Sequence, residues 1–162
     1  YKFMTLINIL YGSSCVGKST HMLNSSDEFF KVEMDDTIFW KKEKKLWQQI
    51  CLDFLIQNII KNKNTKKDMI VTCGGLPIPS HPVYKEIEVN HNVVFKHTLI
   101  LTKDKDQYLK QIKIRELLGS LPHNMAGRPC DYNELIESYK CRESDKDLYD
   151  EILINEGELE PN

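Results

Sequence analysis

Short apolar runs alternate along this chain with longer stretches in which apolar residues return every three or four positions. Phe3–Tyr11, Phe29–Met34, Met69–Cys73, Val93–Leu101 and Ile152–Ile154 are mostly apolar on consecutive positions, the pattern of strands buried on both faces. Between them Leu46, Trp47, Ile50, Cys51, Phe54, Leu55 and Ile59 line one side of a long helix. Tyr108, Leu109, Ile112 and Leu117 predict a second helix from Asp104 to Leu118, and a third runs from about Asp131 to Asp150. Asn24–Asp27 is a turn cluster, Lys61–Lys67 a solvated turn, and Pro77, Pro79 and Pro82 punctuate a loop. Gly119–Pro129, with Gly and Pro at its ends, reads as a mobile loop. Strands alternating with helices predict an α/β fold, a five-stranded parallel sheet wrapped by helices on both faces.

Ligands of such sheets bind outside the carboxyl ends of the strands, and the first strand ends on an informative stretch. Gly12-Ser13-Ser14-Cys15-Val16-Gly17-Lys18-Ser19 fits the phosphate-binding pattern G-x-x-x-x-G-K-[ST] without a mismatch, between a strand and a helix that Lys18-Ser19-Thr20 opens. In that setting backbone N–H groups from Gly12 to Thr20 converge on a polyphosphate. Lys18 reaches its β- and γ-phosphates, and the Ser19 hydroxyl is placed to hold Mg²⁺. The expected ligands are therefore ATP and Mg²⁺.

Composition narrows the rest. A length of 162 residues predicts a single domain spanning 1–162. A net charge of −2 argues against a strongly basic nucleic-acid surface. Five cysteines, none in a C-x-x-C pair, read as free thiols in a reducing compartment, so the expected location is cytoplasmic. Scattered histidines lack the spacing of a structural zinc site, and no apolar run approaches membrane-spanning length.

Chemistry beyond the phosphate loop comes from the other strand ends. The second strand delivers Glu33, Asp35 and Asp36, and the third delivers Gly74 and Gly75. Asp35 is the candidate to orient or deprotonate an acceptor hydroxyl, with Asp36 beside it as a substrate or turn residue. The three arginines, Arg115, Arg128 and Arg142, all lie in the last third of the chain. Guanidinium clamps phosphate in bidentate fashion, so Arg115 and Arg128 are expected on a lid over about 115–130 that closes on the γ-phosphate, and Arg142 in a surface salt bridge. Phosphoryl transfer needs this set of a cradle, a metal, an oriented nucleophile and a cation. A GTPase is excluded by the absence of D-x-x-G near the third strand and by the misplaced acid in Thr102-Lys103-Asp104-Lys105-Asp106.

The order of these motifs resembles the shikimate kinase branch of the P-loop kinases. Val71-Thr72-Cys73-Gly74-Gly75-Leu76 is similar to that family's third-strand motif, Glu33-Met34-Asp35 to its D-x-D, Gly127-Arg128-Pro129 to its lid, and Leu148-Tyr149-Asp150-Glu151 to its approach to the last strand. The resemblance implies a P-loop NTPase fold, Glu33 near Mg²⁺, Asp35 on the acceptor hydroxyl, and adenine contacts from Asn155-Glu156-Gly157. Two positions depart from the family: Leu76 stands for its third glycine, and Trp40 for the arginine that holds the substrate carboxylate. The implied reaction is ATP-dependent transfer to a hydroxyl, or phosphate, of a small molecule, shikimate kinase-like with an altered acceptor site. The acidic strand end and Asp131–Tyr139 also resemble nucleoside, nucleotide and polynucleotide 5′-hydroxyl kinases. On that reading Trp40 and Trp47 would stack a base, and Lys41, Lys42, Lys44 and Lys45 would track a nucleic acid, a partner possible but not favoured. A non-catalytic nucleotide-binding module is the remaining alternative.

Overall fold

A computed structural model describes residues 4–13, 16–33, 44–72, 75–119, 121 and 130–155. Among them five strands form one sheet: β1 (Thr5–Tyr11), β2 (Phe30–Glu33), β3 (Met69–Thr72), β4 (Val93–Thr102) and β5 (Glu151–Asn155). The sheet order is β2-β3-β1-β4-β5 and every pairing is parallel. The five expected strands are all present, each within a residue or two of its expected bounds.

Parallel partners share a face, so the register sorts the core. Ile7, Ile9 and Tyr11 pair with Phe95, His97 and Leu99 on β4, and Ile7 and Ile9 with Met69 and Val71 on β3. Asn8 and Leu10 take the opposite face with Ile70, Thr72 and Thr98. Both faces are buried, because β3 has no exposed residue and the last six residues of β4 are all buried. That is why these strands are apolar at consecutive rather than alternate positions.

Helix α1 (Lys18–Leu23) follows β1, and α2 (Lys44–Asn62) buries Cys51, Leu52, Leu55 and Ile59 at helical spacing. A third helix, α3 (Val83–His91), stands where the prolines predict only loop. Pro82 is its N-cap, and Asn92, at φ 54°, closes it in the left-handed conformation that asparagine tolerates. Its Tyr84 and Ile87 are buried, with the Tyr84 ring edge-on to Phe95 and His97. Helix α4 (Lys105–Leu117) starts at Asp104, whose carboxylate accepts from the Gln107 N–H. Helix α5 (Tyr132–Ser144) starts at a capping box of Asp131 and Glu134. It is shorter than the sequence predicts: α5 ends at Asp145, and Lys146–Leu148 form a separate 3-10 turn before β5. On α4 and α5 the rings of Tyr108 and Tyr139 stack at 4.4 Å, and Tyr139 reaches Thr102 at the end of β4. Helices thus cover the sheet from both sides, α3 on the Tyr11 face and α5 at Thr102.

Candidate functional site

The phosphate loop leaves β1 after Tyr11 and returns as α1. Gly12 has no room for a side chain: a Cβ there would lie 2.7 Å from Val16 Cγ2 and 2.9 Å from the Ile100 carbonyl. Gly17 takes φ 98°, ψ 23° as the N-cap of α1, a left-handed conformation that a side chain resists. No side-chain cap bonds to this helix start and its first turn carries no acid. Amides at the start of a helix have no intrahelical acceptor, so this one is open to an anion.

Lys18 folds back over the loop, its Nζ donating to the Gly12 carbonyl at 2.8 Å. Ser13 and Val16 are buried in the loop's floor, and Ser13 Oγ lies 3.1 Å from Ser138 Oγ of α5. Ser19 and Thr20 are exposed on the first turn. The Ser19 hydroxyl donates to the Glu33 carboxylate at the end of β2. Register makes this contact possible. Glu33, Thr72 and Leu10 occupy one rung across β2, β3 and β1, which sets the carboxylate beside the first turn of α1.

Gly75 is buried just past β3 with Leu76 and Pro77. Arg115, at the start of the lid expected over about 115–130, stands half-buried in the last turn of α4, inside the helix expected from Asp104 to Leu118. The helix persists to Leu117 because Tyr108 and Ile112 bury their side chains and carry its periodicity past the polar residues. Arg142 is placed differently from the expected salt bridge: its guanidinium lies 6.0 Å from the Tyr11 ring centroid and donates to the Tyr149 hydroxyl at 3.2 Å. Asp35, Asp36, Arg128, Ser14, Cys15 and Gly74 lie outside the described residues, as do Trp40, Lys41, Lys42 and the side chains of Lys44, Lys45 and Trp47.

Two groups of residues had no sequence signal. Asn155, at the end of β5, donates from Nδ2 to the Val16 carbonyl at 2.8 Å and so pins the loop from a position 139 residues away. Its amide fills the space a Cβ on Gly17 would need, 2.5 Å away. The resemblance to shikimate kinases implied adenine contacts for Asn155, not this contact. The second group is a buried relay beneath the loop. Tyr84 donates to the Pro77 carbonyl at 2.7 Å, Tyr11 to the Tyr84 hydroxyl at 2.9 Å, and the Tyr11 oxygen lies 2.8 Å from His97 Nδ1. With both phenol protons spent, Nδ1 of His97 must carry the hydrogen that Tyr11 accepts. Burial lowers the His97 pKa against the opposing pull of Asp150 and Glu88, and burial raises that of Tyr11 beyond titration. Both groups are neutral near pH 7. The relay joins the loop after β3 to the last residue before Gly12.

Neither a family model nor a curated relative matches the sequence. Solved structures do. One from the PezAT chromosomal toxin–antitoxin system of the human pathogen Streptococcus pneumoniae superposes with a TM-score of 0.51 at 15% identity, covering 96% of this chain and 69% of that one. A fungal RNA kinase gives 0.46 at 14% identity, over 99% of this chain and 79% of its own. At such identities the likeness is one of fold alone, a five-stranded parallel sheet flanked by helices.

Proposed function

We propose that the protein is a phosphotransferase that moves the γ-phosphate of ATP to a hydroxyl, or a phosphate, of a small molecule. One observation carries the reading: Ser19 and Glu33 meet beside a loop whose lysine already lies against its own backbone. A hydroxyl and a carboxylate are hard oxygen donors that suit Mg²⁺, which takes one or two protein ligands and fills its shell with phosphate oxygens and water. Mg²⁺ bound there would offset charge on the β- and γ-phosphates.

The chain's own groups do the remainder. Backbone N–H groups from Gly12 to Thr20 bind the phosphates, and Lys18 exchanges the Gly12 carbonyl for their oxygens. Asp35, two residues beyond Glu33, accepts the proton of the attacking hydroxyl. Arg115 and Arg128 neutralise charge that builds up on the transferring group. The acceptor binds near Asp36, Gly74 and the buried Gly75, and in the sequence Trp40 stands for the arginine an acidic alcohol would need.

The test is transfer of labelled γ-phosphate from ATP to a panel of sugars, shikimate, nucleosides, nucleotides and 5′-hydroxyl oligonucleotides. The expected result is one class of labelled product, with Asp35→Asn binding ATP as tightly as wild type while losing transfer by on the order of 10²–10⁴-fold. ATP binding with no product from any acceptor would make the protein a nucleotide-binding module instead. Labelled oligonucleotide alone would move the acceptor class to polynucleotides.

A further inference from the structure

Gln111 of α4 is 2% exposed, yet among the described residues neither its amide nitrogen nor its amide oxygen has a hydrogen-bond partner. Other buried polar side chains among the described residues are satisfied. Thr102 bonds Tyr139, Thr98 bonds Asn8, and Asn62 bonds the Lys67 carbonyl. A buried amide that pairs with nothing gives up its hydration for no return, and a methionine of similar shape would avoid that cost. A partner from outside the chain would satisfy it.

The position of Gln111 identifies the partner. Helix α4 leaves the sheet where the phosphate loop lies, and Gln107, one turn before Gln111, donates to the Asn155 carbonyl at 3.1 Å. Asn155 in turn holds the Val16 carbonyl, so this side of α4 stands on the loop's floor. On its other side α4 is fixed to α5, through Tyr108 stacked on Tyr139 and bonded to the Leu135 carbonyl. Helix α5 touches the loop itself through Ser138 and Ser13. The two helices form an arm rooted at both ends of the loop, and Gln111 lies within it. A nucleoside attached to phosphates in that loop can lie along this arm.

A primary amide presents one donor and one acceptor side by side, the complement of the amine and neighbouring ring nitrogen of adenine. Guanine's O6 and N7 are both acceptors, and would leave the amide oxygen facing a lone pair. We infer that Gln111 reads the base of the bound nucleotide and selects adenine. The inference rests on the phosphotransferase reading, which supplies the nucleotide. Inside the arm the two hydrogen bonds form away from water, where they discriminate most.

The experiment compares wild type with Gln111→Met, which keeps the volume and removes both hydrogen-bonding atoms. Calorimetry with MgATP, MgGTP, MgITP and magnesium tripolyphosphate separates base from phosphate. Wild type is expected to prefer ATP over GTP and ITP. Gln111→Met should lose affinity for ATP by about 5- to 150-fold, equalise the three nucleotides and bind tripolyphosphate as before. Its unliganded melting temperature should not fall, because an orphan amide has been removed. Unchanged ATP affinity in the variant overturns the inference, as does wild type that binds ATP, GTP and ITP alike, a result independent of whether the variant folds. Wild type that binds tripolyphosphate no more weakly than ATP overturns it and leaves the phosphate site standing. Failure to bind any of the four removes both readings.

Discussion

Gly17 carries two constraints at once, a left-handed φ of 98° and an amide that occupies the space of a missing Cβ at 2.5 Å. Gly17→Ala should therefore lower stability by about 1–3 kcal/mol in urea unfolding, since the strained backbone stays and Asn155 must give up Val16. A change below about 0.5 kcal/mol, the range of ordinary surface substitutions, would show that the loop re-forms without this geometry. The glycines, Lys18 and Ser19 were legible because phosphate binding fixes their spacing along a contiguous stretch. Asn155 and Gln111 were not. Asn155 meets Val16 across the fold and Gln111 stands out only by its unpaired burial, and an Asn or Gln has the same sequence signature whether it caps, pins a carbonyl or waits unpartnered. Glu33 lies between these cases: its place at a strand end was readable, but its contact with Ser19 depends on the rung shared by β1, β2 and β3.

At the scale of elements, the strands were legible from consecutive burial, and α3 was hidden by its composition. Only Tyr84 and Ile87 of its residues are buried, and three prolines stand before it, so its periodicity is too short to see. Helix α5 was overextended because Asp145–Asp150 is polar enough to continue a helix surface, although the 3-10 turn reverses the chain toward β5. What α3 contributes is Tyr84, which links Tyr11, and through it His97, to the Pro77 carbonyl. This relay gives the fold a pH dependence whose sign is set by burial. The unfolded chain takes up a proton at His97 near pH 6.5, whereas burial lowers the folded value. Between the two values the unfolded state binds more protons. Stability from this residue is therefore complete above about pH 6.5 and is lost as pH falls through the folded value. His97→Asn, which keeps a donor near the Nδ1 position, should flatten the stability-versus-pH curve below pH 6.5. An unchanged slope in the variant would assign the acid sensitivity to another group.

Over the whole molecule, parallel strands with helices on both faces converge their carboxyl ends on one edge of the sheet, and every described residue of the phosphate site lies there. That architecture was readable because alternation of buried strands with helices has few other solutions. On the acceptor side Asp35, Asp36, Gly74 and Arg128 fall outside the described residues. Among the described residues no helix is long and apolar enough to cross a membrane. The claim beneath all of this is that the amides opening α1, with the Lys18 ammonium, hold a triphosphate. Calorimetric titration of the folded protein with MgATP, alongside Lys18→Met, tests it most directly. The account predicts saturable uptake of one nucleotide per chain by wild type, and binding weakened by on the order of 10²-fold in the variant, the scale of losing a charged hydrogen-bond donor to a phosphate. No heat of binding from wild type, or equal affinity in Lys18→Met, would contradict it.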